Sequence, residues 1–115
     1  MSKQYDLEDR TEKFAKDVIG LCKEMSKNTI NIELVSQTVR AAGSIGANYI
    51  EANEALSKKD FYHRIKICRK ESKEVRYWLK LISSANDKFE KQIEPLIRES
   101  TELMNIFGAI IRKGS

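Results

Sequence analysis

Residues 57–84, SKKDFYHRIKICRKESKEVRYWLKLISS, read as one helix whose side chains separate into distinct stripes. At 3.6 residues per turn, Phe61, Ile65, Cys68, Ser72, Val75, Leu79 and Ile82 fall on one line with alternating spacings of four and three. That line predicts a face packed into a core. Roughly 100° round the same wheel, Tyr62, Lys66, Arg69, Lys73, Arg76 and Lys80 form a second line, flanked by Lys59, Lys70 and Tyr77 and containing no acid. Asp60, Glu71 and Glu74 lie on the other flank, beside Arg64, Ile67 and Trp78. Charge on this helix is segregated rather than mixed, and the expected function follows from that.

Around this stretch, the composition describes one helical domain. A chain of 115 residues suffices for a single core. Hydrophobic residues at 41%, charged residues at 33%, one Pro and five Gly leave little material for turns, so a mostly helical protein is expected. No apolar run approaches the roughly 18 to 20 residues that span a bilayer, and the opening Met-Ser-Lys-Gln-Tyr-Asp lacks the basic-then-apolar layout of a leader. A cytoplasmic location with no membrane partner is expected. Cys22 and Cys68 each sit on an apolar stripe far apart in sequence, which predicts buried free thiols rather than a disulfide or redox pair. The net charge of +4 is carried unevenly: residues 57–84 hold nine basic and three acidic side chains, whereas residues 1–27 and 85–115 are each neutral and residues 28–56 are acidic. Such a local field favours a polyanion or an acidic protein surface.

Before the basic helix, two helices are expected. Leu7 to Ser26 forms the first, capped by Asp6, with Phe14, Val18, Leu21, Cys22 and Met25 inward. Lys27 to Asn31 supplies turn residues. Ile32 to Leu56 forms the second, with Val35, Val39, Ala42, Gly46, Tyr49, Asn53 and Leu56 on one face. Its centre holds Gly43 and Gly46, each costing about 1 kcal/mol against Ala in a helix interior. Either a neighbouring backbone approaches closely there, or a loop splits the region; the unbroken apolar spacing favours close approach. Ala41, Asn48, Ala52 and Ala55 add a small-residue column that seats a second neighbour.

Ser57 caps the third helix, with Asp60 three residues on. So short a link makes the second and third helices antiparallel. After Ser83 to Asp87, the line Phe89, Ile93, Leu96, Ser100, Leu103, Phe107 and Ile110 marks a fourth helix. Pro costs about 3 kcal/mol in a helix interior but is tolerated in the first turn, so Pro95 predicts a start at Glu94 or Pro95, with Lys88 to Gln92 as a separate lead-in. The expected fold is an all-α, up-down-up-down antiparallel four-helix bundle, residues 1–115 forming a single domain. Ile97, Met104, Ile106 and Ile111 widen the fourth helix's apolar arc beyond one core face. With Ile67 and Trp78, this surplus implies either a wide core or a subunit interface; the interface, at Ile67, Trp78, Ile97, Met104 and Ile111, is the favoured reading.

Ser44-Ile45-Gly46-Ala47-Asn48-Tyr49-Ile50-Glu51-Ala52, followed by Phe61 to Leu79 with Lys70-Glu71-Ser72-Lys73-Glu74 and Tyr77-Trp78-Leu79, resembles the four-helix-bundle proteins encoded in bacterial 23S ribosomal RNA intervening sequences. Tyr5-Asp6-Leu7 and Phe14-Ala15 fit as well, so the resemblance covers nearly the whole chain. That family has no established molecular activity. A relative, the accessory protein of diversity-generating retroelements, implies a pentameric basic bundle that binds nucleic acid and a reverse transcriptase.

Catalysis is not expected. His63 is the sole histidine and falls on a polar face, and no Cys-x-x-Cys, His-Glu-x-x-His or phosphate-loop pattern occurs, so no metal and no cofactor are implied. The basic line is either a solvated helix face or a nucleic-acid surface, in which Lys59, Lys66, Arg69, Lys70, Lys73, Arg76 and Lys80 neutralise phosphates and Tyr62 or Tyr77 stacks on an unpaired base. Nothing resembles a base-reading motif. The alternative is a scaffold docking another protein. Glu71 and Glu74 are expected to pair with Arg64 or Lys70 along their own helix.

Overall fold

Four amphipathic segments become four helices that bury their apolar lines against one another. The computed structural model describes residues 6–114. Helix α1 is Leu7–Cys22, α2 is Thr29–Asn53, α3 is Lys58–Ala85, and a 3₁₀ turn at Asp87–Phe89 leads into α4, Glu90–Lys113. Each predicted N-cap does its work: Asp6 Oδ1 accepts from the backbone N–H groups of Glu8 and Asp9 at 3.1 and 3.2 Å, and Ser57 Oγ accepts from Asp60 N–H at 3.1 Å. Tyr5, and with it the opening read above as lacking a leader, lies outside the described residues.

Cross-helix contacts set the topology. Thr11 of α1 meets Gly46 of α2; the Cys68 thiol of α3 donates to the Ile45 carbonyl of α2 at 3.4 Å; Arg69 of α3 lies over Gly108 of α4. Arg10 closes the ring, donating to Glu99 at 2.7 and 2.8 Å and to Glu102 at 2.8 Å, which ties α1 to α4. Neighbours in sequence are therefore antiparallel neighbours in space, an up-down-up-down bundle. The α2–α3 register is pinned at one end by a reciprocal amide pair: Asn31 and Asn86 each donate to the other's Oδ1, at 3.0 and 2.9 Å. Asn31 is buried, so the pair satisfies groups that would otherwise be costly to desolvate.

The core follows the predicted lines in three helices: Phe14 and Val18 from α1, Ile65, Cys68, Val75, Leu79 and Ile82 from α3, and Ile93, Leu103 and Phe107 from α4 are all buried. In α2 the predicted face is corrected: Thr38, Ala41, Ile45 and Ala52 are buried with Ala42, whereas Val35, Val39, Gly46 and Tyr49 are half-buried and Asn53 is exposed, because α2 packs against α1 at Thr11–Gly46 and against α3 at Ile45–Cys68 at once. Helix α2 is continuous through its glycines, but the two differ. A Cβ on Gly46 would sit 3.0 Å from Thr11 Oγ1, the close approach that its small size permits, whereas one on Gly43 would meet nothing within 4 Å.

The helix bounds are corrected as well. Helix α1 ends at Cys22 instead of Ser26, and α2 spans Thr29–Asn53, not 32–56, because Asn28 Oδ1 caps it by accepting from Asn31 N–H at 2.8 Å. Leu56 consequently falls in the link and is 98% exposed rather than in the core. Helix α4 starts at Glu90, not at Glu94 or Pro95, and carries Pro95 inside it. Pro95 is exposed while Ile93 and Leu96 on either side are buried, so core packing holds the turn and the Lys91 carbonyl deprived of its donor lies on the wet side.

Candidate nucleic-acid interface

Helix α3 lies between α2 and α4, and its two charged flanks face different neighbours. On the α2 side, Arg64 Nη1 donates to Asn48 Oδ1 at 3.0 Å, and Arg40 of α2 sits 3.8 Å from Glu71 Oε1 and 3.5 Å from Glu74 Oε1. The expected pairing of Glu71 and Glu74 with Arg64 or Lys70 along the helix is thus replaced by pairing across helices. The reason is placement: this flank turns toward α2, and Arg40 is the one cation in residues 28–56. Burial pushes the Glu71 carboxyl above the usual range, Glu74 adds to the rise, and Arg40 and Lys70 oppose it. Among the described residues Glu71 Oε1 has no hydrogen-bond partner.

Along the basic line, whose Arg69 lies over Gly108 of α4, and at the flanking Lys59 and Lys70, the charges have no such partners. Lys59, Lys66, Arg69, Lys70, Lys73 and Lys80 are exposed and Arg76 is half-buried. Among the described residues, none of them forms an ion pair. The structure therefore sets Lys66, Arg69, Lys73, Arg76 and Lys80 along one uncompensated line about 21 Å long, fourteen residues at 1.5 Å each. The two tyrosines are not equivalent. Tyr62 lies against Gly114 at the end of α4 and edge-on to Phe61, 5.1 Å between ring centroids. Tyr77 is 57% exposed, edge-on to Trp78 at 5.3 Å, and is the ring with surface left for a base.

Sequence reasoning gave Arg112 no place in the site. A Cβ on Gly108 would lie 3.5 Å from Arg112 Nη1 and 3.5 Å from Arg69 Nε, so the two guanidinium groups converge over one glycine. The signal available beforehand was weak: a glycine in the fourth helix four residues before an arginine.

The residues predicted for a subunit interface are all half-buried. Ile97 and Ile111 of α4 and Trp78 of α3 pack against the core, and Ile67 and Met104 are intermediate. Trp78 Nε1 is buried with no hydrogen-bond partner among the described residues. Helical spacing puts Ile97, Met104 and Ile111 on the line that includes Gly108, so the apolar line of α4 runs beside the basic line of α3. The most exposed large apolar side chains lie elsewhere, at Leu56, Ile30 and Ile32.

Chemistry beyond binding finds few groups to use. Burial raises the Cys22 thiol to about 11 and the Cys68 thiol to about 12, so both stay protonated near neutrality and are poor nucleophiles. His63 is exposed, and among the described residues no group of three or more His, Cys, Asp and Glu is placed to hold a metal ion. A cleft of about 250 Å³ opens where α1 meets α2, lined by Cys22, Met25, Asn31 and Val35 among others. Among the described residues, no helix is long and apolar enough to cross a membrane.

Comparison with known proteins extends the picture. The family described as 23S rRNA-intervening sequence protein matches residues 3–109. A crystal structure from Bacteroides thetaiotaomicron, of a protein with unknown function from the S23 ribosomal protein family, superposes with a TM-score of 0.80. It shares 31% sequence identity, over 90% of this chain and 96% of that one. No curated protein matches the chain.

Proposed function

This chain belongs to the 23S rRNA-intervening sequence protein family, and on that footing we propose that it is a non-enzymatic, oligomeric bundle binding the phosphate backbone of RNA or DNA along the basic line of α3. One observation carries the proposal: Lys66, Arg69, Lys73, Arg76 and Lys80 share one line and, among the described residues, have no carboxylate partner, although the chain holds 17 acids. Most of those cations project into water, where phosphates replace counterions at little cost in desolvation. The half-buried Ile97, Met104 and Ile111 support self-association, for which the family resemblance suggests a pentamer. A ring would repeat the basic line and turn several weak contacts into one avid surface.

Binding of labelled single-stranded RNA and DNA across a salt series, with mass in solution measured alongside, tests this. Contact at all five cations predicts a log affinity falling by about 3 to 4 for each tenfold rise in salt. Lys73→Glu with Arg76→Glu should cost at least about tenfold in affinity, and Lys66→Glu with Lys73→Glu, both at exposed positions, should do the same without touching the half-buried Arg76. Full affinity in both double variants would remove the proposal. A folded protein partner retained at high salt by those same variants would put a docking scaffold, for instance for a reverse transcriptase, in its place.

A further inference from the structure

We propose that Arg69 of α3 and Arg112 of α4 form a fork over Gly108 that grips a single phosphate of the bound strand, which makes the α3–α4 seam, rather than α3 alone, the nucleic-acid site. The inference rests on the proposed function and adds to it a residue from a second helix. Its basis is the convergence of two guanidinium groups, 3.5 Å each from the point where a Gly108 Cβ would stand. Gly108 is buried beneath them, while both arginines are exposed. Glycine is an unfavourable choice in a helix interior, and here its missing side chain leaves the two heads lying over bare backbone.

Two like charges held over one spot repel unless an anion lies between them. No carboxylate supplies that anion from the adjoining stretches. Residues 61–70 of α3 and 105–114 of α4, which pack together at Arg69–Gly108 and Tyr62–Gly114, contain no Asp or Glu. All four acids of α4 precede Leu103, and Glu99 and Glu102 are turned to Arg10 on the α1 side. Glu71 and Glu74 of α3 face Arg40 on the α2 side. The local ligand is therefore a small, multiply accepting anion that a planar, multi-donor guanidinium suits, and a phosphodiester meets that description. Lys66 and Lys113 flank the fork in sequence register and extend the positive field along the strand.

The experiment compares the full chain with Arg69→Gln, Arg112→Gln, the double variant and, as a reference on the α3 line away from the fork, Lys73→Gln. Labelled oligouridine and oligodeoxythymidine are titrated by fluorescence anisotropy over a salt series, with thermal melting as a check on folding. A shared phosphate predicts that each arginine variant loses affinity several-fold and that the double variant loses scarcely more than either single one. The salt slope falls by about one contact in all three. Arg112→Lys keeps the slope but still loses affinity, since an ammonium does not reproduce the fork's donors. Strictly additive losses, with the slope falling by two contacts in the double variant, would mean separate phosphates and overturn the fork. Normal binding by Arg112→Gln beside weakened binding by Lys73→Gln would also overturn it while leaving the α3 line in place. A wild-type chain that binds neither strand removes both proposals.

Discussion

The two flanks of α3, one holding all of its acids and the other only cations among its charges, meet opposite fates. Toward α2, arginine and glutamate are used up internally: Arg40 lies within 3.8 Å of Glu71 and Glu74, and Arg64 is held by Asn48. Toward α4, a line of lysines and arginines goes unpaired among the described residues, and at its Arg69 end, over a stretch of α4 without acids, Arg112 joins it. Charge that a neighbour neutralises belongs to the architecture, and charge left open is available to a ligand. Stability and binding should accordingly be separable by flank.

Removing Arg40 is the strongest way to break that contrast. Arg40→Ala leaves the buried Glu71 beside Glu74 with no cation across the seam, and should cost about 1 to 2 kcal/mol in denaturant unfolding, discounted because Arg40 is half exposed. Its effect on nucleic-acid binding should be negligible. The glycines of α2 sharpen the comparison by probing how tightly seams close. Gly46→Ala drives a methyl against Thr11 Oγ1, itself fixed by donating to the Leu7 carbonyl at 2.7 Å, and should lose about 1 kcal/mol net. Gly43→Ala, with nothing in reach, should gain up to about 1 kcal/mol by the same measurement. On the open flank, Lys73→Ala should leave stability unchanged within about 0.5 kcal/mol while weakening binding.

The pH dependence is the subtlest test. A carboxyl raised above its usual value binds its proton more tightly folded than unfolded. Glu71 therefore makes stability fall as pH rises from about the ordinary 4.5 through its raised folded value. Glu71→Gln should remove that downward slope, and Arg40→Ala should steepen it and carry it to higher pH, read as the unfolding midpoint against pH. An identical profile in wild type and Glu71→Gln would show that the α2 flank is not closed as described.

Much of this protein is legible locally. The four-three spacing names the buried residues of α3 almost one for one, and Asp6 and Ser57 announce their helices because a cap is satisfied within three residues of itself. Errors gather where distant groups outweigh a local rule. Pro95 reads as a helix start until Ile93 and Leu96 are seen buried around it. Leu56 continues an apolar line on paper yet lies beyond the end of α2, where it finds no neighbour to pack against. Tyr62 reads as an open stacking ring and instead rests on Gly114, fifty-two residues on.

By itself, the chain's order of residues determined that four amphipathic helices form, which line of α1, α3 and α4 is apolar, and that positive charge concentrates between residues 57 and 84, since all of these are local to one segment. Only the tertiary structure decided which helix each flank of α3 would face. That choice turned Glu71 and Glu74 to Arg40 and brought Arg112 over to Arg69. Lateral placement comes from side chains of different helices filling the same space, and no periodicity inside one helix encodes it.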